Sequence, residues 1–165
     1  MAITFNADEI FEMAEQIERN GARFYRDAAA QIADAKNKGF LESLGEMEDI
    51  HLAIFSAMRA ELVKDASEMV TYDPDDQAAQ YLQAMATAHG TEGRITVEQP
   101  LTGKETLEEI IQIALNAEKN SVCFYIGLKN LVPSETGQEQ VSKIIKEEMG
   151  HIAVLQTKLT ALLKT

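Results

Sequence analysis

The sequence is poor in cysteine, tryptophan and proline, and each shortage excludes a class of protein. Cys123 is the only cysteine among 165 residues, which excludes an internal disulfide framework and any cysteine-based zinc or iron–sulfur site within one chain. We expect this cysteine to be packed rather than reactive. Tryptophan is absent and proline occurs three times, while helix-favouring residues such as alanine, glutamate and leucine are abundant. The composition therefore indicates a helical protein.

Basic residues and long apolar runs are also scarce. The sequence has 15 lysines and arginines and 27 aspartates and glutamates, which gives a formal net charge of −12. This charge argues against nucleic acid or an anionic membrane as a partner, because both are polyanions. No run of about 18 or more apolar residues is present, so we expect no membrane-spanning helix. The first residues have neither a basic region nor a long apolar stretch, so we expect no secretory signal and a cytoplasmic location.

The most informative feature that is present is a repeat at an offset of one hundred residues. A glutamate, followed thirty residues later by a Glu-x-x-His motif, occurs twice, and the repeated set is Glu18, Glu48, His51, Glu118, Glu148 and His151. Flanking residues repeat as well: Ala14, Asn20, Phe24 and Tyr25 return as Ala114, Asn120, Phe124 and Tyr125. An internal duplication of a helical hairpin is the simplest account.

The periodicity of apolar residues predicts four long helices. Their predicted spans are 7–35, 40–64, 103–131 and 135–163. Lys36–Gly39 is the predicted first turn, because Asn and Gly can adopt the left-handed conformation that ends a helix. Thr102 with Glu105 is the predicted capping box of the third helix, and Ser134 is the predicted cap of the fourth.

Short turns make each pair of consecutive long helices an antiparallel hairpin. Helices two and three then run parallel, so the chain between them must return along a bundle of about 39 Å. Within that stretch, residues 75–88 are predicted to form a short helix, and His89 is predicted to be a loop residue. The expected fold is an all-α four-helix bundle made of two antiparallel hairpins that are joined by a long crossover.

The repeated residues have the spacing of a metal site. Glu and His at positions i and i+3 share a helix face, and the hairpin centres near residues 34 and 134 place all six side chains at one height. Two divalent cations neutralise four carboxylates, which would otherwise be costly to bury. Carboxylate and imidazole ligands suit iron or manganese, and they also suit zinc. A single Glu-x-x-His is better interpreted as ordinary helix residues, but the matched duplicate favours metal.

Two tyrosines accompany the repeated glutamates. Tyr25 and Tyr125 each lie seven residues after the first glutamate of their hairpin and share its helix face. They are candidates either for hydrogen bonds to the ligand carboxylates or for ordinary core tyrosines.

The segments Glu18-Arg-Asn-Gly-Ala-Arg-Phe-Tyr25 and Glu118-Lys-Asn-Ser-Val-Cys-Phe-Tyr125, together with the two Glu-x-x-His motifs, resemble the rubrerythrin-like branch of the ferritin-like superfamily. The resemblance covers the four predicted long helices. It implies a ferritin-like bundle with a non-haem di-iron carboxylate site that reacts with dioxygen or hydrogen peroxide. It also implies that Glu48 and Glu148 bridge the metals, that Glu18 and Glu118 are terminal ligands, and that each metal takes one histidine.

The chain departs from the rubrerythrin pattern in two respects. It lacks the rubredoxin-like domain with paired Cys-x-x-Cys motifs, and it therefore lacks the built-in electron-transfer iron. Rubrerythrins also place an additional carboxylate one turn after the glutamate of the third helix, where this chain has Ser121. The resemblance therefore does not extend to efficient peroxide reduction.

The resulting hypothesis is a cytoplasmic protein with two bound iron ions that oxidises Fe(II) with dioxygen or hydrogen peroxide, in iron handling or oxidative-stress defence. Its electron donor is unidentified, and we expect no catalytic residue beyond the metal ligands. The alternatives are a non-catalytic iron-binding or storage module, alone or as the cargo of a larger shell, and a metal-free interaction bundle. We expect one domain over residues 1–165, with hairpins at 7–65 and 104–163, a crossover at 66–103, and assembly as a homodimer.

Overall fold

The computed structural model describes residues 7–64, 80–81, 101–132 and 134–164. Four long helices occupy these ranges: α1 (Ala7–Gln31), α2 (Ala35–Lys64), α3 (Leu107–Leu131) and α4 (Glu135–Leu162). The described residues contain no strand, so the prediction of an all-α protein is confirmed. None of the helices in these ranges is long and apolar enough to cross a bilayer.

The helices pair as two hairpins. α1 packs along α2 and α3 packs along α4, while lesser contacts join α1 to α3 and α2 to α4. Only residues 32–34 and 132–134 separate the helices within each hairpin, and such short connections make the paired helices antiparallel. The second turn is capped as predicted, since the Ser134 hydroxyl accepts a hydrogen bond from the Gly137 N–H at 3.1 Å. The four-helix bundle of two hairpins is therefore confirmed.

The first turn lies earlier than predicted. α2 begins at Ala35, so the prediction of a turn at Lys36–Gly39 is wrong and these residues are helical. The Asp34 carboxylate accepts the Asn37 N–H at 2.8 Å, and the Asp34 carbonyl accepts the Lys38 N–H at 2.9 Å. An aspartate cap has therefore started the helix before the Asn and Gly signal is reached. The observed break agrees with the hairpin centre near residue 34 that follows from the spacing of the repeat.

The third long helix begins later than predicted. Its capping box is Thr106 with Glu109, in which the Thr106 hydroxyl accepts the Glu109 N–H at 3.2 Å and the Glu109 carboxylate accepts the Thr106 N–H at 2.8 Å. Thr102 and Glu105 make a similar contact, with the Thr102 N–H donating to the Glu105 carboxylate at 2.8 Å. Gly103 has φ of +83°, which no right-handed helix contains. The prediction of a helix from residue 103 is therefore wrong, because the first of two tandem Thr-x-x-Glu motifs forms a turn.

The core consists of two apolar clusters that are stacked along the bundle axis. We call them the first and second apolar clusters. The first contains residues 10–17 of α1, 55–58 of α2, 124–132 in and just after α3, and 141–144 of α4. The second contains residues 24–29 of α1, 41–44 of α2, 110–115 of α3 and 155–159 of α4. On every helix the repeated glutamates and histidines fall between the two clusters, so the predicted layer lies at mid-height.

Cys123 is exposed, so the prediction that it is packed is wrong. It lies five residues after Glu118, which places it about 140° around the helix from that buried side chain. The buried positions here are its neighbours Phe124 and Tyr125.

The predicted crossover at 66–103, its helix at 75–88 and His89 lie almost entirely outside the described residues. The two residues described between α2 and residue 101 are helical, and the Tyr81 hydroxyl donates to the Cys123 carbonyl of α3 at 2.7 Å. The homodimer was inferred from the same segment and stays a prediction, as does the single domain.

We expect Thr106→Ala to lower the free energy of unfolding by about 1 kcal/mol, because it removes the acceptor of the capping box. Thr102→Ala is the matched control: it alters the same motif where no helix follows, and we expect a loss below about 0.5 kcal/mol. Urea unfolding followed by circular dichroism measures both losses. Equal losses in the two variants would contradict the observed start of α3.

Candidate metal centre

Six side chains converge in the layer between the two apolar clusters. α1 and α3 each supply one glutamate, and α2 and α4 each supply a glutamate and a histidine: Glu18, Glu118, Glu48, His51, Glu148 and His151. Each of these residues is at most 8% exposed. The structure thus brings together every residue that the sequence predicted as a metal ligand.

The ligand atoms of these residues form two groups that share two glutamates. One group is Glu18, Glu48, His51 and Glu148, and the other is Glu48, Glu118, Glu148 and His151. Within each group, one ligand atom from every residue lies within 4.8 Å of the others. Glu48 and Glu148 belong to both groups, which is the placement that two bridging carboxylates require.

The group at His51 contains buried polar atoms that approach one another but make no well-directed hydrogen bond. His51 Nδ1 lies 2.7 Å from Glu148 Oε1, 3.6 Å from Glu18 Oε2 and 3.7 Å from Glu48 Oε2. Despite these short distances, Nδ1 itself, Glu18 Oε2 and Glu148 Oε1 make no hydrogen bond of good geometry within the described part of the chain. A cation coordinated by all three atoms would give each of them a well-directed bond.

The group at His151 repeats this arrangement on the other side of the shared glutamates. His151 Nδ1 lies 3.1 Å from Glu148 Oε2 and 3.6 Å from Glu118 Oε1. The two imidazole rings stack with their centroids 6.0 Å apart. Each histidine therefore presents Nδ1 to its own group.

Two tyrosines tie the terminal glutamates across the bundle. The Tyr25 hydroxyl of α1 donates to the Glu118 carboxylate of α3, and the Tyr125 hydroxyl of α3 donates to the Glu18 carboxylate of α1. Burial and the neighbouring Glu118 charge raise the pKa of Tyr25 well above its ordinary value, and burial and Glu18 do the same for the pKa of Tyr125. Both phenols are therefore core residues that remain protonated donors.

The electrostatics of the layer favour retained protons where no cation is bound. Burial raises the pKa of Glu18 and of Glu118 well above the ordinary value. Burial acts against the charge of Glu148, but its contacts with Glu118 and both histidines lower its pKa. Burial likewise disfavours the imidazolium ions, yet the surrounding carboxylates raise the pKa of His51 strongly and that of His151 to about 10. Protonated imidazoles and carboxylic acids are thus the alternative to metal.

A small cavity adjoins the layer between α1 and α3. Its volume is about 30 Å³, and its lining includes Asn20, Asn120 and Ser121 as well as the Glu48 and Glu118 side chains. A water molecule needs at least about 10–15 Å³, so the cavity holds roughly two waters. It therefore has room for only a few atoms at the edge of the site.

Gly21 makes room for one of the shared carboxylates. A Cβ at this position would lie 3.1 Å from Glu48 Cδ and 3.3 Å from Glu48 Oε1. This role was not predicted from the sequence, although a signal was present: Gly21 lies three residues after Glu18, where the second hairpin has Ser121. The glycine lets α1 approach α2 at the height of the layer.

Glu147 was also missed. Its carboxylate Oε2 lies 2.9 Å from His51 Nε2, on the side of the ring opposite the metal group. The sequence offered only its position directly before Glu148. The buried Glu15 belongs to neither ligand group, and it pairs with Arg19 at 2.6 Å and Arg59 at 3.5 Å.

Comparison with known proteins identifies the fold. No protein-family model and no curated protein matches the chain. Among solved structures, the chain is similar to a crystal structure from Thermotoga maritima whose description places it provisionally among the ferritin-like diiron-carboxylate proteins. The two share 24% sequence identity over 97% of this chain and 98% of that one, with a TM-score of 0.69. At this identity the likeness shows the fold, which is ferritin-like as the sequence resemblance implied.

We expect Gly21→Ala to weaken divalent-metal binding about tenfold, because the added methyl group displaces the Glu48 carboxylate. Gly39→Ala is the matched control, since a Cβ there meets nothing within 4 Å. That variant should bind metal normally and gain about 0.5–1 kcal/mol in stability. Calorimetric titration with Mn(II) measures the affinities. Unchanged affinity in Gly21→Ala would show that the close approach has no role in the site.

A pH dependence follows from His151 in chelator-treated protein. Its pKa in the fold is about 10 against an ordinary 6.5, so its stabilising contribution is full below pH 6.5 and is lost as the pH rises through about 10. We expect the free energy of unfolding to fall by on the order of 5 kcal/mol over this range, at about 1.4 kcal/mol for each pH unit. His151→Gln should lose less. Urea unfolding at a series of pH values measures both losses. If the free energy of unfolding falls by the same amount in the parent and in the variant, the charge state assigned to this imidazole is wrong.

Proposed function

We propose that this chain is a rubrerythrin-like di-iron protein, which binds two iron ions and oxidises Fe(II) with dioxygen or hydrogen peroxide. The observation that carries the proposal is the pair of four-residue groups that share Glu48 and Glu148. A single mononuclear site needs no second histidine and no second terminal glutamate. Two sites with common carboxylates account for all six buried side chains.

The donor set fits iron. Four carboxylates and two imidazoles offer oxygen and nitrogen ligands, without thiolate, and such sets suit iron and manganese while also accepting zinc. Two divalent cations neutralise four carboxylates, so the burial cost of the layer is largely removed. Glu18 Oε2, His51 Nδ1 and Glu148 Oε1, which make no well-directed hydrogen bond, would each gain a bond to a cation.

Two Fe(II) ions bound in the layer would supply two electrons, which with two protons reduce one hydrogen peroxide molecule to two water molecules. The chain's own residues would hold the metal ions in place and shield them from bulk water. Tyr25 and Tyr125 hold the two terminal glutamates by hydrogen bonds from the opposite hairpin. The two apolar clusters exclude bulk water from above and below the layer, and the cavity of about 30 Å³ beside it has room for a molecule as small as dioxygen or hydrogen peroxide.

The proposal includes a cellular setting. A cytoplasmic homodimer that takes Fe(II) from solution would serve iron handling or oxidative-stress defence. Repeated turnover needs a separate electron donor, because one cysteine cannot hold a second iron centre of the rubredoxin type. Nucleic acid and membranes remain unfavourable partners for a chain with a net charge of −12.

The second candidate is iron binding without turnover, as a storage or cargo module. Ser121 favours this candidate, because it stands where the resemblance assigns a further carboxylate to peroxide-reducing proteins. Two bound irons with Fe(II) oxidation no faster than in buffer would select it. Hundreds of irons per particle would instead require a cage.

The number of irons bound per chain distinguishes a ligand that belongs to both groups from a ligand that belongs to one. We expect about two irons per chain in the parent, almost none in Glu148→Ala and about one in Glu118→Ala, because Glu148 belongs to both groups and Glu118 to one. Elemental analysis after anaerobic dialysis against Fe(II) gives the counts, and circular dichroism checks the fold of each variant.

Two results would defeat the proposal. One is a parent that binds less than one iron per chain. The other is a Glu148→Ala variant that retains as much iron as the parent.

A further inference from the structure

The two halves of the layer differ at one carboxylate. His51 Nε2 lies 2.9 Å from the Glu147 carboxylate of α4. The position that corresponds to Glu147 in the first hairpin is Met47, and both positions are partly buried. No described residue offers a carboxylate to His151 Nε2. Both halves of the repeat therefore have their three ligands, but among the described residues only His51 has an outer carboxylate.

An outer carboxylate changes what an imidazole does as a ligand. Because Glu147 offers an acceptor, the Nε2 hydrogen of His51 donates to it, and Nδ1 is left to face Glu18, Glu48 and Glu148. Such a bond fixes the tautomer and the ring orientation, and it makes the imidazole a stronger donor to metal. Methionine provides only a weak sulfur acceptor in the corresponding place.

The difference in burial between the two histidines also favours the metal position at His51. His51 is fully buried, whereas His151 is 8% exposed. The stronger ligand therefore lies on the better shielded side of the layer.

We propose that Glu147 makes the two metal positions unequal, so that the position at His51 binds its divalent cation more tightly and the position at His151 exchanges with solution. Glu147 is thus a positioning residue that acts through His51. The inference rests on the proposed function, because it concerns the same six ligands. In that function the position at His151 would be where substrate Fe(II) enters and leaves.

Titration of chelator-treated protein with Co(II) tests the inference, with calorimetry giving the affinities and visible absorption reporting the ligand field. We expect two binding steps in the parent. Glu147→Met gives both hairpins a methionine, so the tighter step should weaken about 10- to 100-fold and merge with the weaker one. Glu147→Gln keeps an acceptor oxygen and should recover part of the loss. Met47→Glu should tighten the weaker step.

Glu139→Met is the matched control, because it removes an exposed glutamate from the same helix and should leave both steps unchanged. The Glu147 side chain is 31% exposed, so Glu147→Met should melt close to the parent when metal is chelated. Two-ion uptake with an unchanged tighter step in Glu147→Met, or two equal steps in the parent, would overturn the inference alone. Absence of Co(II) uptake by the parent would overturn it together with the proposed function.

Discussion

Burial of four carboxylates and two imidazoles in one layer is the constraint on which the rest of this bundle depends. The layer lies between two apolar clusters and has almost no access to water. Unpaired charges cannot remain there, so the layer must bind either protons or cations. Glu18 Oε2, His51 Nδ1 and Glu148 Oε1 make no well-directed hydrogen bond, so hydrogen bonds among the described residues do not satisfy the layer. The two tyrosine bonds across the hairpins and the close approach at Gly21 hold the carboxylates where two cations would lie.

An internal duplication accounts for the residues that the two hairpins share, and the hairpins differ from each other at a few positions. Each hairpin contributes one terminal glutamate, one shared glutamate, one histidine and one tyrosine, and the tyrosines bond to the glutamates of the opposite hairpin. The layer of six ligands therefore requires the two hairpins to meet at one height. Departures from the repeat occur at Gly21 and Ser121 beside the cavity and at Met47 and Glu147 behind the histidines. These are the positions at which two otherwise equivalent metal positions would acquire different properties.

The sequence predicted the height of the layer better than it predicted the turns. Spacing in a hairpin is simple geometry, so the repeat placed the centre near residue 34 even though the Asn and Gly signal pointed to Lys36–Gly39. The helix ends were harder to predict, because more than one local signal was available at each. Asp34 caps α2 before the Asn and Gly signal is reached, and the first of two Thr-x-x-Glu motifs forms a turn at Gly103. The contact of Glu147 with His51 could not be predicted from the sequence, for a different reason. Its role depends on how closely α4 approaches α2, which neither periodicity nor spacing specifies.

Anomalous diffraction from crystals grown with Fe(II) or Mn(II) tests the central claim most directly. The account predicts two anomalous peaks inside the bundle, one in the group of His51 and one in the group of His151, with Glu48 and Glu148 contacting both. Peaks confined to surface carboxylates, or a layer that contains no peak after metal soaking while its side chains keep their positions, would contradict it.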